Sequence, residues 1–178
     1  MTEQQHIEPD TKDWTWTVER RCPDCGFVAG EVGPDEVVGL VHRLTAPWPE
    51  VLARPDVATR PRPEVWSPLE YAAHVRDVCD VFGARLRLML DEEAPTFADW
   101  DQDAAAIEKD YAASEPDTVA DELAIAADGL AQGYATVTGP QWERRGIRSN
   151  GSEFTVLTLG RYCLHDLAHH LWDVGATA

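Results

Sequence analysis

The stretch "WSPLEYAAHVRDV", residues 66–78, contains a strong helix-start signal. Ser67 is a good N-cap residue, and Pro68 suits the first helical position. Glu70 follows three residues after the cap, where its carboxylate can complete a capping box. Apolar residues then recur at helical spacing, which predicts a long helix that begins at Pro68 and ends near Leu90.

Apolar residues also recur at helical spacing in three other regions, which are 34–54, 117–137 and 155–175. Pro47 and Pro49 must interrupt the first of these helices, because proline cannot donate a backbone hydrogen bond. A shorter helix is predicted to end near Tyr111, and Asn150-Gly151 indicates a small hairpin or loop before the last helix. Four main helices with mixed connections predict an all-α fold, a four-helix bundle with additional short segments.

Residues 1–33 are predicted to form an irregular N-terminal segment, and residues 34–175 the bundle domain. Trp14 and Trp16 alternate with threonines, which fits a short strand or an arm on the bundle. The segment has no long apolar run of the kind found in a secretory signal. Its "CPDCG" stretch, residues 22–26, has the shape of a zinc knuckle, but no second Cys pair follows at the usual spacing. Metal binding, a redox or adventitious disulfide, and no special role all remain open.

The composition limits the classes of partner. The formal net charge is −17, with 32 acidic and 15 basic residues, which argues against nucleic acid and against an anionic membrane surface. No run approaches the length of apolar sequence that spans a bilayer. We therefore expect a cytoplasmic protein that acts on a small molecule, and the sequence leaves a homodimer open. Only Lys12 and Lys109 are lysines, which suggests a GC-rich bacterial genome.

The second notable stretch is "YCLHDLAHHLWDV", residues 162–174, which contains three of the six histidines. His165 and His169 are four residues apart, so they lie on the same face of a helix and can share one divalent ion. His74, on the helix that begins at Pro68, is a candidate third ligand if the bundle brings the two helices together. Three neutral imidazoles would leave coordination positions open, as catalytic sites do.

Other interpretations of these residues remain. His74 can instead be a partly buried histidine that is hydrogen-bonded to a carbonyl or a carboxylate. His170 points about 100° away from His169 around the helix, so we expect a surface residue or a residue that supports a ligand. Asp77, Asp166 and Asp173 are candidates to orient the imidazoles.

Taken together, "WSPLEYAAHVRDV" and the later His-x-x-x-His pair resemble the DinB/YfiT-like superfamily, over roughly residues 34–175. The resemblance implies a four-helix bundle in which His74, His165 and His169 bind a divalent metal, often zinc or nickel. In related branches, mycothiol-dependent maleylpyruvate isomerases and bacillithiol S-transferases, this metal activates a low-molecular-weight thiol.

The resemblance implies a metal-dependent enzyme that transfers a low-molecular-weight thiol such as mycothiol to a small electrophile, or that activates water in a hydrolase or isomerase. The sequence identifies no catalytic or thiol-binding residue. Five arginines are weak candidates to meet a substrate carboxylate, and these are Arg85, Arg87, Arg144, Arg145 and Arg148. The alternatives are a non-catalytic metal-binding or sensing bundle, and a bundle whose site has decayed.

Overall fold

The computed structural model describes residues 7, 9 and 12–178, so the other residues of the predicted N-terminal segment lie outside the described part. The helices are α1 (Val37–Thr45), α2 (Trp48–Leu52), α3 (Pro68–Asp91), α4 (Gln102–Glu108), α5 (Pro116–Ala135) and α6 (Val156–Asp173). The strands are β1 (Thr96–Phe97), β2 (Arg145–Arg148) and β3 (Glu153–Thr155). No helix within these described residues is long and apolar enough to span a bilayer.

The helices α1, α3, α5 and α6 form a four-helix bundle, in which α3 and α1 each pack against both α5 and α6. Their apolar faces meet in one core, as expected for amphipathic helices. Leu86 of α3, Leu130 of α5 and Leu164 of α6 are almost completely buried in it. The predicted all-α fold is confirmed.

The start of α3 follows the prediction. Ser67 Oγ accepts a hydrogen bond from the Glu70 amide at 3.3 Å, and Glu70 Oε2 accepts one from the Ser67 amide at 2.8 Å. Arg60 also donates to the buried Glu70 carboxylate, from Nε to Oε2 at 2.9 Å. At the first predicted helix, the chain leaves α1 after Thr45 and begins α2 at Trp48, on either side of the expected break around Pro47.

A small sheet precedes α6. The strands β2 and β3 form the predicted hairpin, and its turn contains Gly151 at φ +92°, a conformation that favours glycine. The parallel pairing of β1 with β2 was not predicted, because "TF" at residues 96–97 is too short to show an alternation. Gly146 allows the sheet to lie close to α3, since a Cβ there would come within 2.7 Å of Met89 Cγ.

The N-terminal segment is an arm that lies on α6, and its first Trp-containing stretch forms a 3-10 turn at Thr15–Val18 rather than a strand. A second 3-10 turn, Ala29–Glu31, also contacts α6. Cys22, which lies between the two turns, is fully buried. After the second turn, the carbonyl of Val32 accepts a hydrogen bond from Arg161 of α6 at 2.9 Å. The arm therefore belongs to the folded body.

Candidate metal centre

A cleft of about 1020 Å³ lies along one face of α6. Its lining residues include Asp166 and His170 from α6, and the aromatic rings of Trp66 and Trp100 from the connections on either side of α3. Side chains of both charge signs therefore meet aromatic surfaces in this cleft, as is typical of small-molecule sites.

Two clusters of metal-ligating side chains lie at this face of α6. The first, which we call the inner cluster, consists of His74, Asp166 and His170, whose ligand atoms lie within 4.8 Å of one another. His170 Nε2 is 3.1 Å from Asp166 Oδ1, and His74 Nε2 is 3.9 Å from Asp166 Oδ2. The two imidazole rings are nearly perpendicular, with their centroids 4.7 Å apart.

His74 is fully buried, and neither of its ring nitrogens has a hydrogen-bond partner among the described residues. Trp100 stacks parallel to the His74 ring at a centroid distance of 5.3 Å, and Trp66 packs against it at 5.2 Å. Buried polar atoms almost always have a partner, so two unpartnered nitrogens on one imidazole require an explanation. A metal ion beside Asp166 would account for Nε2, the nitrogen that lies 3.9 Å from Asp166 Oδ2.

The two imidazoles of the inner cluster differ in protonation, and His170 would have to lose a proton to bind an ion. Burial lowers the pKa of His74 to about 3, so its imidazole is neutral and able to bind metal. Burial raises the pKa of Asp166, but His170 and His74 outweigh this effect and lower it to about 2. Burial lowers the pKa of His170, but Asp166 and Asp173 outweigh it and raise this pKa to about 9. The carboxylates thus attract positive charge to this point.

The second cluster, the arm cluster, consists of Cys22 and Cys25 from the N-terminal arm and His165 and His169 from α6. Its ligand atoms also lie within 4.8 Å of one another, and Cys22 Sγ is 3.7 Å from His169 Nδ1. Burial lowers the pKa of His165 to about 4, which makes this imidazole neutral as well. Burial and the neighbouring Cys22 raise the pKa of the Cys25 thiol to about 11, and a bound cation would reverse this shift.

The structure brings His165 and His169 together, with ring centroids 5.3 Å apart, but it places His74 in the other cluster. The grouping of all three histidines around one ion therefore stays a prediction. Sequence reasoning gave Asp166 and His170 only supporting roles, whereas both lie beside His74. Their spacing was a usable signal, because Asp166 and His170 are also four residues apart on α6 and both are common ligand types.

The remaining candidates are placed as follows. Asp173 does orient an imidazole, since its Oδ2 lies 2.8 Å from His170 Nδ1. Asp77 makes no hydrogen bond to an imidazole among the described residues, and its carboxylate pairs instead with basic and phenolic side chains. Of the five arginines, Arg85 and Arg148 line the cleft. The others lie elsewhere, with Arg144 bonded to backbone carbonyls and both Arg87 and Arg145 exposed.

Comparisons with known proteins agree with the fold. The family model of the DinB superfamily matches residues 35–174. A similar solved structure is YfiT from Bacillus subtilis, described as a probable metal-dependent hydrolase with an unusual four-helix bundle topology. The two structures have a TM-score of 0.69 and 22% sequence identity, and the match covers 78% of this chain and 82% of YfiT. No curated protein matches the sequence.

Proposed function

Because the chain belongs to the DinB superfamily, we propose that it is a divalent-metal-dependent enzyme whose ion is held by His74, Asp166 and His170. The observation that carries this proposal is the buried, unpartnered His74 imidazole beside Asp166, whose carboxylate lines the cleft. Three protein ligands leave coordination positions open for a small molecule, as in other catalytic metal sites. Zinc or nickel suits this imidazole and carboxylate set.

When bound, a divalent ion lowers the pKa of a coordinated thiol or water and so supplies a nucleophile at neutral pH. The residues around it have separate tasks. Asp173 accepts the Nδ1 proton of His170 and so orients the ring, and Nε2, which lies 3.1 Å from Asp166 Oδ1, would be the nitrogen that holds the ion once it has lost its proton. Trp100 and Trp66 fix the plane of the His74 ring and keep water from its buried side.

The cleft also contains groups that suit an acidic substrate. Arg85 is buried and donates to the carbonyl of Ala98 at 3.0 Å, while its guanidinium lies over the ring of Phe97. Arg148 lines the same cleft. Burial lowers the pKa of Arg85, and the positive charge of Arg148 lowers it further. Arg148 Nε also lies 3.5 Å from Asp99 Oδ1, so a substrate carboxylate would share Arg148 with Asp99 while it pairs with the two guanidinium groups.

We therefore propose that the substrate is a small electrophile with a carboxylate group, and that the nucleophile is a low-molecular-weight thiol such as mycothiol. The thiol would release its proton to solvent, and its sulfur would bond to the electrophilic carbon as a halide, or the ring oxygen of an epoxide, takes the electron pair of the broken bond. A second candidate is hydrolysis, in which water takes the place of the thiol. It is favoured by the structural likeness to YfiT, which is itself described as a probable metal-dependent hydrolase.

The test compares the metal-loaded protein with the His74→Ala variant. Mycothiol or bacillithiol is supplied with a carboxylate-bearing epoxide or alkyl halide, and ester hydrolysis is followed in parallel. We expect the variant to lose about one ion per chain and at least ~100-fold in turnover, since the open-site ion supplies the nucleophile. The matched control is His42→Ala, because His42 is exposed and belongs to neither cluster.

Consumption of thiol would identify the transferase, and ester hydrolysis without thiol would identify the hydrolase. A parent protein that binds the ion without turning over any substrate would favour a metal-sensing bundle. If the His74→Ala variant retained its bound metal as well as its turnover, the inner cluster would not be the active site.

A further inference from the structure

We propose that Cys22, Cys25, His165 and His169 bind a second divalent ion, of the zinc class, in a closed four-coordinate site that fastens the N-terminal arm to α6. This inference concerns the arm cluster alone and does not depend on the chemistry of the inner cluster. It would make the arm a structural part of the metal-binding region.

The ligand set of the arm cluster is complete. Two thiols and two imidazoles are the donors of a structural zinc site, which is tetrahedral and has no open position. Typical zinc-sulfur and zinc-nitrogen bond lengths give a sulfur-to-nitrogen edge of about 3.6 Å in a tetrahedron. The 3.7 Å from Cys22 Sγ to His169 Nδ1 is close to this edge. This pair therefore already has the spacing that one ion requires, and all four donor atoms lie within 4.8 Å of one another.

The cysteine half of the cluster is held by its own backbone. The amide of Gly26 donates to the carbonyl of Cys22 at 3.0 Å, and the amide of Cys22 donates to the carbonyl of Phe27 at 3.0 Å. Gly26 adopts φ +74°, which favours glycine and turns the chain back toward the first cysteine. This tight loop presents both sulfurs on one side, as in zinc knuckles.

The histidine half is fixed by α6 and by aromatic neighbours. His165 and His169 are one helical turn apart, and Trp14 packs against both rings at centroid distances of 5.8 and 5.2 Å. His165 Nε2 is buried and has no hydrogen-bond partner among the described residues. This second buried nitrogen without a partner, on an imidazole of the arm cluster, is the independent observation that points to an ion.

The site has a consequence for the cleft. Trp14 and Asp24 of the arm line it, together with His165 and His169. An ion that joins arm and helix would therefore hold one wall of the cleft in place. The arm would detach, and the cleft would widen, when the ion is removed. The competing use of the cysteines is a Cys22–Cys25 disulfide, although both are free thiols in the structure.

The experiment uses the untagged full chain, freed of metal and titrated with Co²⁺. Thiolate coordination produces an intense sulfur-to-cobalt charge-transfer absorption in the near ultraviolet, which imidazole and carboxylate ligands do not. We expect this absorption to reach its maximum at about one ion per chain when the four-ligand site fills, within a total of about two. Hydrogen exchange of the arm should slow on loading.

Three variants separate the two clusters. The Cys22→Ser/Cys25→Ser variant should lose the charge-transfer absorption and keep about one ion per chain, bound at the inner cluster. His74→Ala should keep the absorption and lose the other ion. Cys79→Ala is the matched control, because Cys79 is a buried thiol outside both clusters, and it should keep both ions and the absorption.

The proposal would be overturned by Co²⁺-loaded parent protein that shows no sulfur-to-cobalt absorption, a result that needs no variant to fold. It would also be overturned if thiol titration of freshly purified, denatured protein found Cys22 and Cys25 joined in a disulfide. Loss of the inner ion alone, in His74→Ala, would leave this proposal intact and bear only on the proposed function.

Discussion

Helix α3 carries His74 and Asp77 three residues apart, and they face two different polar regions of the molecule. The first region is the inner cluster, in which the Asp166 carboxylate faces imidazoles. The second is the group around Asp77, in which the carboxylate faces fixed cations and a phenol. Both carboxylates have lowered pKa values, yet the partners that stabilise them differ in kind.

Asp77 is satisfied by side chains that keep their protons at neutral pH. Its Oδ2 accepts hydrogen bonds from Tyr111 Oη at 2.5 Å and from Lys109 Nζ at 2.7 Å. Its Oδ1 accepts one from Arg76 Nε at 2.9 Å. Burial raises the pKa of Asp77, but these donors together outweigh it. This arrangement is a permanent structural link between α3 and the segment after α4.

Asp166 faces partners that carry a positive charge only when they take up a proton. His74 is neutral because of its burial, and His170 depends on Asp166 and Asp173 for its raised pKa. A neutral imidazole is a metal ligand, whereas a guanidinium or an ammonium is not. The comparison teaches that a buried carboxylate paired with Arg and Lys is structural, while one surrounded by imidazoles can exchange its cation.

The largest expected effect comes from removing the structural carboxylate. Asp77→Ala leaves the Arg76 guanidinium without its buried partner and should lower the free energy of unfolding by about 3 kcal/mol, measured by urea denaturation. Metal content should not change. Glu122→Ala is the matched control, because Glu122 pairs with the same guanidinium at an exposed position, and it should cost at most about 1 kcal/mol. Equal losses in the free energy of unfolding for both variants would mean that Arg76 contributes to stability independently of its pairing with Asp77.

Removing the Asp166 carboxylate should instead reduce the stability that the protein gains by binding metal. At a free ion concentration of about 100 times the dissociation constant, the inner site should add about 2.7 kcal/mol to the parent's stability. Asp166→Asn should lose most of this gain, because an amide is a much weaker ligand than a carboxylate. Thermal denaturation with and without Zn²⁺ measures it, and any contribution of the arm cluster cancels between the two proteins. An unchanged gain would exclude Asp166 as a ligand.

A third carboxylate, Glu70, is paired with Arg60 and should therefore also contribute to stability. Its effect should be smaller and should depend on pH. Burial raises its pKa, but Arg60 and Ser67 outweigh it, so the folded value lies below the usual 4.5. The stability that Glu70 adds is therefore complete above the unfolded pKa and is lost as pH falls through the folded one. Glu70→Gln should cost about 1.5 kcal/mol at pH 7 and progressively less on acidification, as urea denaturation at several pH values would show.

Ser67→Ala provides the control for Glu70, because it removes the cap hydroxyl without removing a charge. It should cost about 1 kcal/mol with little dependence on pH. A Glu70→Gln loss that is constant from neutral to acidic pH would mean that Glu70 contributes as a capping group and not as an anion.

The fold was largely predictable because the local signals agree with one another. The capping box at Ser67 and Glu70, the prolines after α1 and the apolar spacing of α5 each correspond to an observed boundary or face. The strand β1 was missed because its pairing depends on β2, which is about fifty residues away along the chain. Non-local pairing of two residues leaves no periodic pattern.

The candidate site was only partly predictable, for a geometrical reason. Helix α6 carries two ligand pairs at the same spacing, His165 with His169 and Asp166 with His170. They lie about 100° apart around the helix. Spacing cannot determine which pair faces His74, because this depends on how α6 is rotated against α3. That rotation is set by the packing of the whole bundle, and the arm that occupies the other face comes from a distant part of the sequence.

The position of the arm cluster also sets an order of assembly. Its two cysteines are only three residues apart in sequence, but Cys22 and His169 are 147 residues apart. During synthesis the knuckle emerges with two donors while α6 is still absent, so it can hold an ion only weakly. The last helix then brings both imidazoles as it docks, and closure of this long loop comes late in folding. An ion locked in the arm cluster would thus mark a chain in which α6 has been synthesised and has docked on the bundle.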